Sequence, residues 1–482
     1  MNFVIFMPDE MRADTAGCYG HPLVRTPNLD ALAADGTRFD ACYTQHPVCS
    51  PARCSMFTGW YPHVRGHRTL WHLLRPEEPN LLRYLKQAGY DVRWWGKNDL
   101  LSTESFADSV DLADSPGGGL HGPLVRSGPE DPHWDSFLAE PFDGGPMETG
   151  DGMKVAAAID YLKNKPDDRP FCIFLPLTVP HPAYGCPEPW HGMYAPDDLP
   201  PLRPAELEGK PMFHRLIRQT RQLDRLDEAE LRRIAAVYLG MVSYTDHLLG
   251  EMLKALTDTG RDDDTAVFFA ADHGDWAGEY GLVEKWPSAM DDTITRIPFV
   301  ARIPDGQGGH VVDTPTELFD IHATMLDLAG IEPQHTDFSR SLVPQLHGQA
   351  GDAERAAFCE GGYDPHEPHC FEGRPSLGWV PENIYYQKGA LQQSHPASVC
   401  RTVMMREQRY KLIYRTADVC ELYDLQEDPR ELNNLYAEPA VAELRDRLES
   451  RLLKWLVTTS DVTPFNEDPR GLPDPPPGST HA

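Results

Sequence analysis

The sequence Cys49-Ser50-Pro51-Ala52-Arg53, with Thr58-Gly59 shortly after it, is the stretch around which the rest of the chain is organised. It places a thiol, a proline that restricts the backbone and a guanidinium close together in the chain. Arg53 could hold an oxyanion or lower the pKa of Cys49, which makes a thiolate nucleophile one interpretation. The other interpretation is a buried cysteine in a loop that leads into a helix. The remaining sequence has to decide between them.

Length and charge limit the class of protein. The chain has 482 residues, of which 40% are hydrophobic, enough for one large α/β domain and a smaller one. Its 74 acidic and 44 basic residues give a formal net charge of −30. This charge argues against binding to nucleic acid or to anionic membrane surfaces, and against long polysulfated glycans. No apolar run is long enough to span a bilayer.

The N-terminal sequence and the cysteines indicate a cytoplasmic protein. The chain begins without a basic region, and the short apolar stretch 3–7 runs straight into Pro8-Asp9. We therefore interpret this stretch as a buried first strand and not as a signal peptide. The ten cysteines are scattered singly, with no Cys-x-x-Cys pair. In a cytosolic chain this distribution predicts free thiols, neither a disulfide framework nor a zinc site.

Strands and helices alternate over residues 1–345, which predicts a mostly parallel sheet sandwiched by helices. Buried strands are predicted at residues 3–7, 91–95, 171–177, 265–271 and 297–303. Helices are predicted at residues 26–39 (with Asn28 as N-cap), 53–60, 80–89, 152–165, 227–257 and 318–328. The polar segments 100–150 and 183–225 are predicted to be long loops that shape the mouth of a substrate site.

The C-terminal part follows a different pattern. Strand-like runs at 398–406 and 410–414 and a helical run at 440–456 predict a smaller α+β subdomain over residues 346–465. Residues 466–482, rich in Pro, Gly and Asp, are predicted to be a flexible tail. The predicted fold class is therefore α/β, a large mostly parallel sheet between helices, with a smaller C-terminal α+β subdomain.

Polar residues follow four of the predicted strands: Asp9, Lys97, His181 and the pair Asp272-His273. Because the carboxyl ends of parallel strands share one edge of a sheet, these groups are expected to lie together beside Cys49. Taken singly, each has an ordinary structural explanation, such as capping of a helix by Asp9. Taken in order with the Cys-x-Pro-x-Arg motif, they resemble the type I sulfatases of the alkaline phosphatase superfamily, over roughly residues 3–345.

The resemblance implies a modified nucleophile and a metal site. In that family a separate formylglycine-generating enzyme oxidises the cysteine, and the hydrate of the resulting aldehyde is the nucleophile. Asp9, Asp272 and His273 match the family's metal ligands, with the formylglycine oxygen at Cys49 completing the site. The implied cation is Ca²⁺, which we favour, or Mn²⁺ or Mg²⁺. Many members have a second aspartate where this chain has Glu10, which either ligates the cation or points away.

The resemblance also implies roles for the basic residues. Arg53 would hold the diol oxygens, and Lys97 and Lys285 would grip the sulfuryl oxygens of an anionic ester. His181 would, with Lys285, hydrogen-bond or protonate the oxygen of the leaving alcohol. The implied reaction is attack by the diol oxygen on sulfur, release of the alcohol and then collapse of the sulfated hemiacetal.

One position departs from the family pattern. A base must take the proton of the second diol hydroxyl so that sulfate is expelled and the aldehyde is regenerated. The family often has a histidine two residues after the first lysine, where this chain has Asp99. The candidate base is therefore Asp99 itself or a neighbour such as His67.

The sequence thus predicts a sulfuric ester hydrolase that acts on a small aryl, alkyl or sugar sulfate and is matured by a formylglycine-generating enzyme. A phosphonate or phosphate diester hydrolase of the same superfamily is the alternative, against which Lys97 argues because the compared diester enzymes lack that lysine. A non-catalytic binder of sulfate esters that keeps the Cys49 thiol is a second alternative. The identity of the alcohol and the oligomeric state are left open.

Overall fold

The computed structural model describes residues 1–117, 123–126, 128, 130–165, 168–373, 380–381 and 383–463. The tail predicted for residues 466–482 lies outside the described residues. The strands are Asn2–Asp9 (β1), Thr37–Phe39 (β2), Cys42–Tyr43 (β3), Asp91–Trp95 (β4), Leu112–Asp114 (β5), Phe171–Pro180 (β6), Thr265–Ala270 (β7), Phe299–Arg302 (β8), His310–Val312 (β9), Thr316–Glu317 (β10), Ala357–Gly361 (β11), Thr402–Arg406 (β12), Tyr410–Arg415 (β13) and Glu421–Asp424 (β14). The α-helices are Pro27–Asp35 (α1), Cys49–Thr58 (α2), Leu81–Gln87 (α3), Phe106–Ser109 (α4), Gly150–Asn164 (α5), Met212–Thr220 (α6), Glu228–Asp258 (α7), Asp292–Thr295 (α8), Asp320–Ala329 (α9), Val343–Leu346 (α10), Tyr386–Ser394 (α11) and Ala442–Thr459 (α12).

The main sheet confirms the predicted fold class. Its strand order is β5-β4-β6-β1-β7-β8-β2-β9 in the described part of the chain. Strands β5, β4, β6, β1 and β7 run parallel, while β8 pairs antiparallel with both β7 and β2. The central strand β1 is buried along its whole length, because helices cover both faces of a parallel sheet. Its last residue is Asp9, so this strand delivers a carboxylate directly to the sheet edge.

The longest helix, α7, begins where the sequence predicts. Asp227 accepts a hydrogen bond from the backbone N–H of Glu230, and the Glu230 carboxylate accepts one from the backbone N–H of Asp227. This reciprocal capping box satisfies two backbone donors that a helix start leaves free. The buried face of α7 then packs on the sheet and against α5.

The predicted helix over residues 26–39 is wrong in its second half. Helix α1 ends at Asp35, and Thr37–Phe39 forms strand β2 between β8 and β9. Gly36 separates the two elements, because a Cβ there would lie 2.4 Å from the carbonyl oxygen of Ala301. Asn28 is also not the N-cap, since the helix begins at Pro27 and the Asn28 amide donates to Asp246.

The two polar segments predicted as loops contain regular structure. Segment 100–150 includes the short helix α4 and the edge strand β5, whose residues are exposed and therefore lack the apolar signal of a buried strand. Segment 183–225 includes helix α6, which begins directly after Pro211. Helix α6 packs against the distant helix α11, whereas α4 and β5 contact the nearby α3 and β4. Local composition does not reveal these contacts.

The C-terminal part has the predicted α+β character. Strands β11, β12, β13 and β14 form an antiparallel sheet, of which the sequence identified only β12 and β13. Helix α12 lies on this sheet, where Trp455 stacks on Phe358 at a ring distance of 4.4 Å. The ten cysteines are all free, as predicted. In the described residues, no helix combines the length and the hydropathy that crossing a membrane requires.

Candidate active site

Cys49 is the first residue of a helix and not part of a preceding loop. The sequence places this helix at 53–60, but α2 begins at Cys49, and all ten of its residues are buried. Pro51 fits in the first turn because the backbone N–H groups there have no partner within the helix. The helix ends at Gly59, whose φ of 67° lies in the left-handed region.

Four predicted ligands converge on one point. The Sγ atom of Cys49 lies 3.5 Å from Oδ1 of Asp9 and 3.2 Å from Nε2 of His273. The candidate ligand atoms of Asp9, Cys49, Asp272 and His273 all lie within 4.8 Å of one another, and all four residues are buried. The main chain holds Asp272 in place, because its Oδ1 accepts the backbone N–H groups of Glu10 and His273. The structure therefore brings the predicted metal ligands together.

This donor set fits a divalent cation. Two buried carboxylates and an imidazole are ligands that Ca²⁺, Mn²⁺ and Mg²⁺ accept to different degrees. His273 Nδ1 lies 2.9 Å from the carbonyl oxygen of Gly274, so in the neutral ring Nδ1–H donates to that carbonyl and Nε2 is free to ligate. Burial is the main cause that lowers the pKa of His273, which favours the neutral form that a ligand requires.

Arg53 and Lys97 supply positive charge on one side of this point. Arg53 Nη2 lies 3.0 Å from Oδ2 of Asp9 and 2.8 Å from Oδ2 of Asp272. Lys97 Nζ lies 2.8 Å from Oδ2 of Asp9 and 3.8 Å from Sγ of Cys49. Burial raises the pKa of Asp9, but Lys97 and Arg53 outweigh it, and the net pKa lies well below the usual range.

On the other side, Glu10 turns toward Lys285 and His181. Its φ of 70° lies in the left-handed region, and its Oε2 accepts a hydrogen bond from Lys285 Nζ at 2.8 Å. Lys285 Nζ is also 3.0 Å from Nε2 of His181. Because His181 Nδ1 lies beside the carbonyl oxygen of Pro182, the neutral ring donates there and accepts from Lys285 at Nε2. Glu10 is therefore engaged by Lys285, and its carboxylate also lies within 4.8 Å of candidate ligand atoms of Asp9 and His181, in a second group that shares Asp9 with the first.

The protonation of this second group follows from its surroundings. Burial, assisted by Lys285 and Lys97, lowers the pKa of His181 well below its usual value. Burial also disfavours the charged form of Lys285, but Cys49 and Glu10 outweigh it and raise the pKa of the ammonium. At neutral pH the pair is therefore a lysine ammonium that donates to a neutral imidazole.

The two candidate bases have different environments. Asp99 Oδ2 lies 2.9 Å from Lys97 Nζ and 3.6 Å from Arg53 Nη1, within the site. His67 has both ring nitrogens engaged, by the carbonyl oxygen of His72 at 2.6 Å and by Glu78 at 3.1 Å. Burial opposes the charged form of His67, but Cys54 and Glu78 outweigh it and raise its pKa to about 10. A ring that is already protonated and hydrogen-bonded through both nitrogens cannot accept another proton. The geometry therefore favours Asp99 as the base.

The sequence did not identify the residues that anchor Lys285. The preceding residue Glu284 has a φ of 65° and binds Lys388 Nζ at 2.7 Å and Arg221 Nη2 at 2.9 Å. Lys388 belongs to α11 of the C-terminal part, so that part holds an active-site segment in position. No local signal could have revealed these contacts, because the partners lie far apart in the chain.

Comparison with family models places most of the chain in one family. Residues 1–331 match the model described as Sulfatase. Residues 371–457 match the model described as N-sulphoglucosamine sulphohydrolase, C-terminal. The first match covers the main sheet, and the second covers strands β12, β13 and β14 of the C-terminal sheet.

Individual relatives agree with these matches. The multifunctional alkaline phosphatase superfamily protein PehA of Trinickia caryophylli is 27% identical, over 97% of this chain and 96% of its own. The N-acetylglucosamine-6-O-sulfatase of Bacteroides thetaiotaomicron is 25% identical, over 93% of this chain and 84% of its own. The crystal structure of the phosphonate monoester hydrolase of Agrobacterium radiobacter has the same fold, with a TM-score of 0.79 at 23% identity, over 97% of this chain and 100% of that one.

Proposed function

Since the chain belongs to the sulfatase family of the alkaline phosphatase superfamily and is a sulfatase-type hydrolase, we propose that it cleaves small sulfate monoesters to an alcohol and inorganic sulfate. The nucleophile is the hydrate of formylglycine, made from Cys49 by a formylglycine-generating enzyme. The observation that carries this proposal is the position of Cys49 Sγ between Asp9 and His273, with Lys97 3.8 Å away.

The unmodified thiol is a poor nucleophile at this position. Burial and the charge of Asp9 raise the pKa of Cys49 well above its usual value, although Lys285 and Lys97 oppose that shift. A protonated thiol attacks slowly, because the thiolate is the reactive form. The surroundings that disfavour a thiolate suit a neutral diol held by Arg53 and by the ligand cluster.

The ligand cluster supports a divalent cation, with Ca²⁺ favoured over Mn²⁺ or Mg²⁺. Asp9, Asp272, His273 and the oxygen that replaces Cys49 Sγ would hold it. When bound there, the cation supplies positive charge beside the nucleophilic oxygen and the sulfuryl group.

The basic residues act on the sulfuryl oxygens and on the leaving alcohol. Lys97, part-exposed at the mouth of the site, and Lys285, deeper inside, neutralise the sulfuryl oxygens as charge develops on them. One diol hydroxyl loses its proton to solvent, and its oxygen forms an S–O bond while the S–O bond to the alcohol breaks. Lys285, hydrogen-bonded to neutral His181, delivers the proton that the departing alkoxide needs. The shared hydrogen bond holds the Lys285 ammonium in position for this transfer.

Asp99 is the base of the second step in this proposal. It takes the proton of the remaining diol hydroxyl, after which the aldehyde re-forms and sulfate leaves. Its carboxylate lies 2.9 Å from Lys97 Nζ, which is itself 3.8 Å from Cys49 Sγ. The proposed base is therefore close to the nucleophile. Asp99 thereby replaces the histidine that is common at this position in the family.

The substrate class we favour is a small aryl, alkyl or sugar sulfate. The relative named N-acetylglucosamine-6-O-sulfatase supports a sugar sulfate among these. A relative described as multifunctional keeps phosphonate or phosphate diester hydrolysis as a second candidate activity.

Two measurements test the proposal. The first is the mass of the tryptic peptide 39–53, from protein produced together with a formylglycine-generating enzyme. Conversion of Cys49 to the aldehyde supports the nucleophile, whereas an intact thiol despite an active maturation enzyme contradicts it and favours a non-catalytic sulfate-ester binder. The second is the ratio of turnover on nitrophenyl sulfate to turnover on nitrophenyl phenylphosphonate. A ratio dominated by the phosphonate would replace the sulfatase assignment by the diester hydrolase.

A further inference from the structure

The segment before Cys49 and the segment after Lys285 both contact the C-terminal part of the chain. The backbone N–H of Glu360 donates to the carbonyl oxygen of Gln45 at 2.9 Å, and that of Gly362 donates to Pro287 at 2.7 Å. The indole of Trp286, next to Lys285, donates to the carbonyl oxygen of Ser398 at 2.7 Å. The chain around 360–363 and 398–401 therefore forms one flank of the active site.

Two arginines lie on this flank. Arg68 follows helix α2 and binds both carboxylate oxygens of Glu367, at 2.8 and 3.0 Å. Arg401 comes directly after Cys400, which pairs with Tyr363 in a parallel bridge. Both side chains are part-buried, so they retain some contact with solvent. We call Arg68 and Arg401 the arginine flank.

Arg401 has no protein partner among the described residues, although it is surrounded by charge. Its backbone carbonyl accepts the hydrogen bonds of Thr416, but its guanidinium makes neither a hydrogen bond nor an ion pair within the described chain. Burial and the nearby charge of Arg68 lower the pKa of Arg401, against the effect of three carboxylates. The part-buried guanidinium therefore has its five donors available to an anion, beside a second arginine.

The neighbouring carboxylates do not fill this role, because each is held by another group. Glu360, Glu367 and Asp364 are the carboxylates whose charge acts on Arg401. Their closest partners are His63 to Glu360 at 2.7 Å, Arg68 to Glu367 at 2.8 Å and His366 to Asp364 at 2.7 Å. The donors of Arg401 are therefore left for a group that the protein does not contain.

His46 connects the arginine flank to the ligand cluster. It is fully buried three residues before Cys49, and its Nδ1 accepts the backbone N–H of Val48 at 3.2 Å. Burial, His273 and the two arginines lower the pKa of His46, so its ring is neutral and carries its proton on Nε2. That N–H finds no acceptor in the described structure. The charges of the arginine flank and of His273 both act on His46, which places His46 near each of them.

We propose that Arg401, assisted by Arg68, binds a second anionic group on the alcohol part of the sulfate ester. This inference rests on the proposed function and narrows its substrate class: the preferred esters are small molecules that carry a carboxylate, a phosphate or a further sulfate besides the sulfate that is cleaved. A planar guanidinium matches the paired oxygens of each of these groups. A guanidinium without a protein partner also supplies local positive charge for an anionic substrate in a chain with a net charge of −30.

The test uses matched substrates that differ in charge and little in reactivity. One pair is carboxyphenyl sulfate and carbamoylphenyl sulfate, and the other is glucosamine 6-sulfate with an N-sulfo or an N-acetyl group. For matured wild-type enzyme we expect kcat/KM to favour the charged member of at least one pair by about tenfold or more. Arg401→Gln removes that preference while changing kcat/KM for the neutral member by less than about threefold. If wild-type kcat/KM were equal for the charged and the neutral member in both pairs, the inference would be overturned.

Further variants separate recognition from folding. Arg401→Lys retains the charge and is expected to recover part of the preference, because only the paired geometry is lost. Arg68→Gln is expected to have a smaller effect than Arg401→Gln, because Glu367 already neutralises Arg68. Arg447→Gln removes an exposed charge from the outer face of α12 and should leave the preference unchanged. If Arg401→Gln lowered kcat/KM equally for the charged and the neutral member of a pair, Arg401 would act on the fold alone, and the inference would be overturned.

A binding experiment separates this inference from the proposed function. Cys49→Ala removes the nucleophile, so calorimetric titration with the same pairs reports binding without turnover. We expect tighter binding of the charged member by about tenfold, and loss of that difference in Cys49→Ala/Arg401→Gln. If the matured wild type hydrolyses no sulfate ester, the proposed function is wrong, and the binding ratio still decides the anion site. If esters are hydrolysed but the charged and neutral members bind with equal affinity, only the inference of an anion site is wrong.

Discussion

Two clusters of buried charge in this molecule contain the same kinds of side chain but differ in how they are satisfied. The catalytic cluster combines three basic residues and four carboxylates: Arg53, Lys97, Lys285, Asp9, Glu10, Asp99 and Asp272. The C-terminal cluster, where the main sheet region meets the C-terminal sheet, also has three basic residues and four carboxylates: Lys210, Lys411, Arg415, Asp291, Asp292, Glu421 and Glu431.

The difference lies in the hydrogen bonds that remain unmade. In the C-terminal cluster no buried side-chain nitrogen or oxygen of the seven residues lacks a partner, and Lys411 donates to Asp292 at 2.7 Å and to Glu431 at 2.6 Å. In the catalytic cluster, Oε1 of Glu10 and both terminal nitrogens of Arg53 make no well-aligned hydrogen bond. Completed pairing stabilises one arrangement, whereas incomplete pairing leaves capacity for a cation and a substrate. The same kinds of charged side chain therefore stabilise the fold in the C-terminal cluster and support catalysis in the catalytic cluster.

The sharpest test of this contrast is Cys49→Ala. We expect the variant to lose at least about a thousandfold in kcat on a sulfate ester, because no other group can form the covalent intermediate. Its melting temperature should stay close to that of the wild type, since the substitution leaves the ion pairs of the cluster in place. The measurements are steady-state kinetics and thermal unfolding.

Cys54→Ala is the matched control on the same helix. Cys54 is equally buried but has no part in the proposed reaction, so turnover should change little. Retention of more than a tenth of the activity in Cys49→Ala would contradict the role of Cys49.

Removal of the cation should act on the catalytic cluster alone. Dialysis of the matured enzyme against a chelator is expected to lower kcat/KM by about a hundredfold or more, and Ca²⁺, Mn²⁺ or Mg²⁺ should restore it. The melting temperature should also fall, because Asp9 and Asp272 lose a bound positive charge. Elemental analysis with activity measurements checks this, and full activity in metal-free protein would refute the metal site. In Asp272→Asn the response to added metal should be weak or absent.

Lys411→Met should produce the reverse pattern. It leaves Asp292 and Glu431 buried without their shared ammonium, so the free energy of unfolding should fall by about 3 kcal/mol. Well below the unfolding temperature, kcat/KM should stay within about twofold of the wild type, because the proposed reaction does not use this cluster. Denaturant unfolding and steady-state kinetics are the measurements. The matched variant Lys97→Met should instead lose activity with little loss of stability, and the contrast fails if both variants behave alike.

The smallest expected effect concerns pH. Burial raises the pKa of Glu431 to about 7, with Lys411 opposing the shift and Asp292 adding to it. Because the folded pKa lies above the unfolded value of 4.5, the stabilisation from this group is complete below about pH 4.5 and is lost as pH rises through about 7. Glu431→Gln should therefore flatten the pH profile of the free energy of unfolding by about 2 kcal/mol between pH 5 and pH 8.

Denaturant unfolding across that pH range measures the effect. The exposed Glu427 is the control, because its replacement by Gln should leave the profile as in the wild type. An unchanged slope in Glu431→Gln would show that Glu431 does not titrate in this range.

The parts of the site that the sequence predicts are those set by strand ends. Asp9 closes β1, and Asp272 and His273 follow β7, a neighbouring parallel strand. Their meeting beside Cys49 follows from the strand order of a parallel sheet, because neighbouring strands end at the same edge. The sequence could not predict that α2 begins at Cys49 itself, since a proline in the first turn is compatible with a loop as well as a helix.

The sequence by itself determined five strands of the main sheet (β1, β4, β6, β7 and β8), the polar groups that follow strands, and the family that the motifs indicate. Only the tertiary structure decided which charges pair. Glu10 pairs with Lys285, Lys388 anchors Glu284, and Arg401 is left without a protein partner in the described chain. The physical reason is the sequence separation of the interacting residues. Apolar periodicity can be recognised in a few neighbouring residues, whereas these buried charges pair with groups more than a hundred residues away. Those matches exist only once the chain has folded and excluded water.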